Sequence, residues 1–283
     1  MVVSMVVYQS DKDLFRQTLL SLKASLQHAF STHCLQSARV VVVDNAPGTN
    51  ESAHNNGYAE ILNTVFTDAK PHPAITHTLI LSGRNIGYGA ANNLAQNDPA
   101  SRAIQPEYVL VLNPDVTLAE DAIRSAVVHL DRHTATAMVT PVATFPDGSP
   151  QYLVKAHPSV GTLACRGFAP AWLRTRCVRR LAAYDRMDSA FDAPLFDAEI
   201  VSGCCMFMRA DAWHQAGGFD EKFFLYFEDF DLSKRIAAVS RIDRVATCRI
   251  THAGGNAAAK GNRHVWLFVR SAARFFNKHG WRW

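Results

Sequence analysis

Residues 108–116 read Tyr-Val-Leu-Val-Leu-Asn-Pro-Asp-Val, an apolar run that stops abruptly at Asn113-Pro114-Asp115. Proline cannot donate to a sheet ladder, so a strand with apolar residues on both faces should end there and leave Asp115 at its tip. A carboxylate just past the carboxyl end of a buried strand is where α/β folds usually put ligand chemistry. The same three residues also favour turns, so the segment alone leaves both readings open.

The flanking segments build an α/β frame around it. Val2 to Tyr8 is β-branched and apolar and reads as a buried strand, running into a loop at Gln9 to Asp11. From Asp13 onward Leu14, Leu19, Leu22 and Leu26 fall close to a 3.6-residue repeat, with Asp11 or Asp13 available as N-cap. Arg39 to Val43 is a second buried strand ending in Asp44-Asn45, followed by a loop at 46–55. Strand, helix and strand in this order favour a right-handed crossover and a parallel sheet. A third strand, Thr78 to Leu81, leads into Ser82-Gly83-Arg84-Asn85-Ile86-Gly87-Tyr88-Gly89 and a helix from Ala90. Glycines there allow close backbone approach to a ligand, and the helix start offers free N–H groups. The loop matches neither the dinucleotide fingerprint nor the phosphate loop of Walker-type sites.

Beyond Asp115, Glu120 to Arg132 reads as a helix and Met138 to Thr144 as a strand closing at Pro146-Asp147-Gly148. Residues 150–195 carry no legible pattern beyond a short basic helix around Trp172 to Tyr184. Ile200 to Met208 is strand-like, Arg209 to Ala216 helical, and Gly217-Gly218 a stop.

With 283 residues and 48% hydrophobic content, the chain can bury a substantial core. No apolar run approaches the roughly 20 residues that span a bilayer, and the opening lacks a basic leader, so a cytoplasmic chain is expected. The six cysteines form no C-x-x-C pair and read as reduced, mostly structural thiols. The net charge of +4 is unevenly spread. Seven Lys/Arg stand against one acid between Lys155 and Arg186, and six against none from His252 to Trp283. Both regions are interleaved with Trp and Phe, which suits a polyanion or an anionic membrane; Trp172 with Arg174, Arg176, Arg179 and Arg180 is one candidate contact. Neither region carries a nucleic-acid-binding signature.

Two further segments carry chemistry. Phe223 to Leu232 places Glu228, Asp229 and Asp231 after an aromatic run and ahead of the helical Ser233 to Ala238. Aromatic neighbours exclude water and raise a carboxylate's pKa, which suits a general base, although acids here would also complement a helix dipole. Later, Thr251-His252-Ala253-Gly254-Gly255-Asn256 presents a histidine before a glycine pair. Asp115, the acids and His252, each at the end of a strand-like run, could meet at one edge of a sheet.

The ordered set VVSMVVYQ, VVVVDNA, GRNIGYGAANN, VLVLNPDV, VSGCCMFMRADAWHQAGGFDEKFFLYFEDFDLSKR and THAGG resembles family 2 glycosyltransferases of the GT-A fold, and within them the bacterial rhamnosyltransferase-like branch. The resemblance runs over nearly the whole chain except residues 150–195. It implies a single α/β domain with a Rossmann-like, mostly parallel mixed sheet flanked by helices. Residues 1–116 would form the nucleotide-sugar half, 117–250 the acceptor and catalytic half, and 251–283 a basic aromatic C-terminal segment.

By the same resemblance, Tyr8 and Asp44 contact the nucleotide base, and Arg84, Asn85 and Asn92 hold the nucleoside and diphosphate. The D-x-D position falls on Asn113-Pro114-Asp115, with Asp115 binding a divalent metal, Mg²⁺ or Mn²⁺, and His252 a second metal ligand. Asn113 departs from the motif by carrying no charge, but it can hydrogen-bond a ribose or a metal-bound water and so stays among the donor-binding residues. The acidic pair falls on Glu228-Asp229, with Asp229 the base. The implied activity is inverting transfer of a sugar, most specifically L-rhamnose from dTDP-rhamnose, to a cell-surface polysaccharide such as lipopolysaccharide or to a lipid-linked glycan, with peripheral contact at the inner face of the cytoplasmic membrane.

Three other classes stand beside it. One is a UDP-sugar-dependent enzyme of the same family. Another is a sugar-1-phosphate nucleotidyltransferase, whose first strand should run into a Gly-rich loop with a basic residue where Tyr8-Gln9-Ser10-Asp11 stands. The third is a catalytically silent glycan- or nucleotide-binding protein, against which Asp115, Asp229 and His252 argue.

Overall fold

The computed structural model describes residues 1–48, 57–68, 71–168, 175–187, 190–254 and 262–283. Its first strand, β1 (Val2–Val7), turns Val3, Met5 and Val7 to one face of a sheet and Val6 to the other. That alternation needs helices on both sides. Helix α1 (Lys12–Ser31) covers the first face with Phe15, Leu19, Leu22 and Leu26. It starts where the Asp11 carboxylate accepts the N–H groups of Asp13 and Leu14 at 2.9 and 3.0 Å. Strand β2 (Ala38–Asp44), helix α2 (Tyr58–Asn63) and strand β3 (Ile75–Leu81) follow. Helix α3 (Tyr88–Asn97) then covers the opposite face, packing Ala91 and Ala95 on Val6, Val41 and Val43.

After α4 (Pro99–Ala103) comes β4 (Tyr108–Leu112), which ends one residue before Asn113-Pro114. The chain turns there, and a short strand not foreseen in the sequence, β5 (Val116–Leu118), leads to α5 (Ala122–Arg132). Strand β6 (Thr136–Thr144) pairs with β7 (Pro150–Gln151), and β8 (Val154–Lys155) opens the excursion that had no legible pattern. It holds α6 (Val160–Phe168) and α7 (Val178–Tyr184), bridged by a disulfide between Cys165 and Cys177. This corrects the expectation of reduced thiols for that pair, because the helices fold back and bring residues 12 apart in sequence to 6.5 Å between Cα atoms. Trp172 and Arg174, offered as a membrane contact, lie outside the described residues.

The run expected as one strand from Ile200 to Met208 is broken. It divides into β9 (Ile200–Val201) and β10 (Cys205–Arg209), so that Ser202 to Cys204 can bend over the site. Helices α8 (Ala210–Ala216) and α9 (Glu228–Ala237) follow, then the twelve-residue strand β11 (Arg241–His252) and the C-terminal helix α10 (Asn262–His279). Helix α9 begins at Glu228 rather than Ser233, which puts Glu228 and Asp229 in its first turn.

The main sheet runs β3-β2-β1-β4-β10-β6-β11-β5, with β7 paired to β6. Its first half is parallel, while β10 enters antiparallel between β4 and β6. Val7 pairs with Asp44 and Asp44 with Leu81, so the carboxyl ends of β1 to β3 finish level. The site lies beyond that edge, as in other open α/β sheets. No helix among the described residues is long and apolar enough to cross a membrane.

Candidate active site

Two cavities open beyond the sheet edge and share a wall. One, of ≈ 520 Å³, is lined by the β1 loop from Tyr8 to Asp11, by Asn45, Asn85 and Asn113 to Asp115, and by Arg263, His264 and Leu267 of α10. The other, of ≈ 680 Å³, is lined by Phe145, Ser202 to Cys204, Tyr226, Glu228, Asp229 and His252. Tyr88, Asn113, Asp115, Leu225, Ala253 and Gly254 border both. Asp115 therefore stands in the partition.

Its carboxylate lies 3.4 Å from His252 Nε2, and the ring's other nitrogen, Nδ1, is 2.9 Å from Gln151 Oε1. The amide of Ala253 donates to Asp115 O at 3.0 Å, which ties the end of β11 to the turn after β4. Burial works against a charge on the His252 ring, but the neighbouring Cys204 and Asp115 outweigh it and lift its pKa to about 10. Gly254 is kept bare by the same approach: a methyl there would land on the Asp115 carboxylate and 2.9 Å from His252 Nε2.

On the other side, Asp229 Oδ2 accepts the Gly203 N–H at 2.8 Å and Oδ1 accepts the Phe230 N–H at 2.9 Å. Burial raises the pKa of both acids, and the charge of Asp229 raises that of Glu228 further. The two backbone N–H groups pull Asp229 back down, whereas Glu228 Oε2 is buried without a hydrogen-bond partner among the described residues. The pair divides accordingly: Asp229 ionises first and Glu228 keeps its proton.

Tyr88 joins the two sides, and nothing in the sequence singled it out. Its Oη lies 2.9 Å from Asn113 Oδ1 and 2.8 Å from Gly203 O. One hydroxyl proton serves only one of two acceptors. An Asn113 amide turned so that its NH₂ group donates to the phenol satisfies both contacts and leaves the amide oxygen for the cavity. The neutral residue at the D-x-D position thus has a physical reason, since a carboxylate there would compete with Gly203 for the Tyr88 proton. Tyr88→Phe strips the Gly203 carbonyl and Asn113 of their partner at a cost of about 1–3 kcal/mol. Because Gly203 holds Asp229, any activity that depends on Asp229 is expected to fall more than ligand affinity, read from initial rates beside ligand titration.

The other sequence candidates are placed unequally. Tyr8 and Asn85 line the first cavity. Asp44 is buried at the end of β2, where its carboxylate accepts the Ala46 N–H at 3.0 Å, and it is Asn45, one residue on, that reaches the cavity wall. Arg84 is exposed over a neighbouring hollow that it shares with Asn85. Asn92 is fully buried, its amide oxygen accepting from Ser4 Oγ at 2.8 Å and its NH₂ donating to Tyr88 O at 3.1 Å. Helix α3 starts at Tyr88 and turns Asn92 onto β1, where it lines neither cavity.

Solved structures share this architecture. The mannosyltransferase PcManGT from Pyrobaculum calidifontis, in complex with GDP-Man and Mn²⁺, matches 98% of this chain and 63% of its own at TM-score 0.59 and 18% identity. The fold is GT-A. Residues 1–349 of TarS from S. aureus match 98% of this chain and 72% of their own at TM-score 0.51 and 14% identity. In sequence, the N-acetylglucosaminyl-diphospho-decaprenol L-rhamnosyltransferase of Mycobacterium tuberculosis is 32% identical over 186 residues, 60% of this chain. The match spans 57% of that relative's length. The resemblance to the rhamnosyltransferase-like branch, stated from the motifs, is borne out by this relative. No protein-family model matches the chain.

A GT-A site that uses a divalent cation must supply oxygen or nitrogen ligands beside the diphosphate. Here Asp115 Oδ1 is buried and meets only the His252 ring, 3.4 Å away and held in orientation by Gln151, and that ring would give up its proton to ligate a cation. The residues fit a cation, although no group of three or more His, Cys, Asp or Glu gathers there among the described residues. Phosphate oxygens and water would complete the shell, as is usual for Mg²⁺.

Proposed function

We propose that the chain is an inverting glycosyltransferase that takes L-rhamnose from dTDP-rhamnose and passes it to a lipid-linked glycan on the cytoplasmic side of the membrane. One observation carries this reading: Asp115 stands in the wall between two cavities, with Asp229 on the far side. The donor would enter the first cavity and the acceptor the second. Residues 1–116 then supply most of the donor half and 117–250 most of the acceptor half. The relative's printed name supports rhamnose as the sugar and a diphospho-decaprenol acceptor, and the GDP-Man and Mn²⁺ in the mannosyltransferase support a nucleotide-sugar with a cation.

The chemistry follows from charge. A nucleoside diphosphate leaves as an anion, and a divalent cation held by Asp115 and His252 would neutralise the charge that develops on it. Tyr8, Asn45 and Asn85 line the chamber that the nucleoside would fill. Across the partition an acceptor hydroxyl, far too weak an acid to ionise at neutral pH, needs a carboxylate within about 3 Å to take its proton. Asp229 is that base, aimed by Gly203 and Phe230. Glu228, holding its own proton, keeps a second negative charge away from the reaction. A single displacement inverts the anomeric centre.

Thermal shift against dTDP- and UDP-sugars, with and without Mn²⁺, tests the donor. The largest stabilisation is expected from dTDP-rhamnose with Mn²⁺; stabilisation by a UDP-sugar alone would replace the donor, and none by any nucleotide-sugar would remove the reading.

A further inference from the structure

Helix α10 buries Leu267, Ser271 and Phe275 along one stripe, against the aromatic residues of α9 and the turn before it. The opposite stripe carries Val265, Trp266 and Val269, which are 38, 59 and 52% exposed. Arg270 lies on the same side, its guanidinium 5.3 Å from the centre of the Trp266 ring. Beyond the helix, Trp281 stacks on Phe276 and on Trp283, which is 81% exposed. Scattered apolar side chains on a surface are ordinary, but a tryptophan and two valines collected on one stripe of a basic helix, with two more tryptophans just beyond it, are not.

We propose that this outward face of α10 lies on an anionic lipid surface. Charge selects the occupant. No Asp or Glu occurs from His252 to Trp283, and the acids packed under the helix, Asp220 and Asp231, are already engaged by Lys278 and His279. Nothing within the segment offsets Arg270 on that face. A second copy of the same face would set Arg270 against Arg270. A soluble polyanion would satisfy Arg270 and leave Trp266 and the valines in water, whereas headgroups and the acyl boundary satisfy both. The other basic segment comes alongside, since Val160 at the start of α6 donates to Arg282 O at 2.8 Å and Leu163 joins the cluster around Phe276.

The orientation has a consequence for the reaction. Arg263, His264 and Leu267, in the first turns of α10, line the donor cavity. A chain resting on this face holds the mouth of its cleft at the headgroup level. That part rests on the proposed lipid-linked acceptor; the lipid contact itself does not.

The test uses the full chain and the double variant Trp266→Ser, Val269→Ser, with vesicles of phosphatidylcholine alone or containing phosphatidylglycerol. The wild-type protein is expected to co-sediment with the anionic vesicles and to be released by salt, and the variant to bind about tenfold more weakly while melting at the same temperature. Equal sedimentation of the two proteins, binding indifferent to phosphatidylglycerol, or no binding would overturn the proposal. So would light scattering that finds a wild-type dimer and a monomeric variant, which would assign the face to a second copy.

Discussion

Asp229→Asn is expected to lose transfer by about 10³-fold while donor binding stays within about twofold of wild type. Asparagine keeps the shape of the side chain and can still accept from Gly203 or Phe230, so the fold around it should hold. What disappears is the basic oxygen that, in the proposed reaction, would take the acceptor proton. The pH profile adds a second readout. Burial raises the Asp229 pKa, and the base works only when ionised, so kcat/KM should climb with pH through a value above the ordinary carboxylate range of about 4. That acid limb should vanish in Asp229→Asn. It should survive in Glu228→Gln, because Glu228 still holds its proton while Asp229 ionises. A limb that moves with Glu228 instead would exchange the roles of the two acids.

Asp115→Ala should abolish the response to Mn²⁺ and lower turnover by at least about 10³-fold, since a cation's charge stabilisation is worth several kcal/mol. The direct reading is donor binding measured by calorimetry with and without Mn²⁺: wild type should bind more tightly with the cation, and the variant equally in both. Gly254→Ala separates this from simple loss of a carboxylate. It removes no ligand, yet its methyl would strike the Asp115 carboxylate and crowd His252 Nε2, so cation-dependent affinity should fall there too. An unchanged Mn²⁺ titration in both variants would move the cation away from Asp115.

Much of the frame was legible because local signals agreed with the packing. Pro114 ends β4 as its chemistry requires, and the alternating faces of β1 and the leucine repeat of α1 meet in one core. Asp115 was legible as a carboxylate just past a strand, where Asn113 and Pro114 mark the turn, whereas Glu228 and Asp229 stood out by their aromatic run and lie in the first turn of α9. Register was not legible to the single residue. Asp44 and Asn45 are both buried but only Asn45 lines the first cavity, and Asn92, in the first turn of the helix expected after the glycine loop, faces Ser4. Only the end of β11, the strand-like run before His252, was legible; its start was hidden because Asp243 and Arg244 break the apolar pattern and are buried with partners that come from distant segments: Thr136 and His129 for the first, Ala190 and Ala193 for the second. Helix α10 was masked by its exposed Trp266 and its arginines, which read as a basic aromatic region until the buried Leu267, Ser271 and Phe275 supplied the period. Tyr88 and Gly203 had no signal at all, since their importance lies in contacts across 115 residues.

The partition at Asp115, with a donor on one side and a base on the other, is tested most directly by the product. Incubating the protein with dTDP-rhamnose, Mn²⁺ and a diphospho-polyprenol-linked acceptor, and assigning the anomeric configuration of the product by NMR, should give rhamnose joined with inversion relative to the donor, and no product with Asp229→Asn. A product that retains the donor's configuration, or transfer undiminished without Asp229, would contradict it.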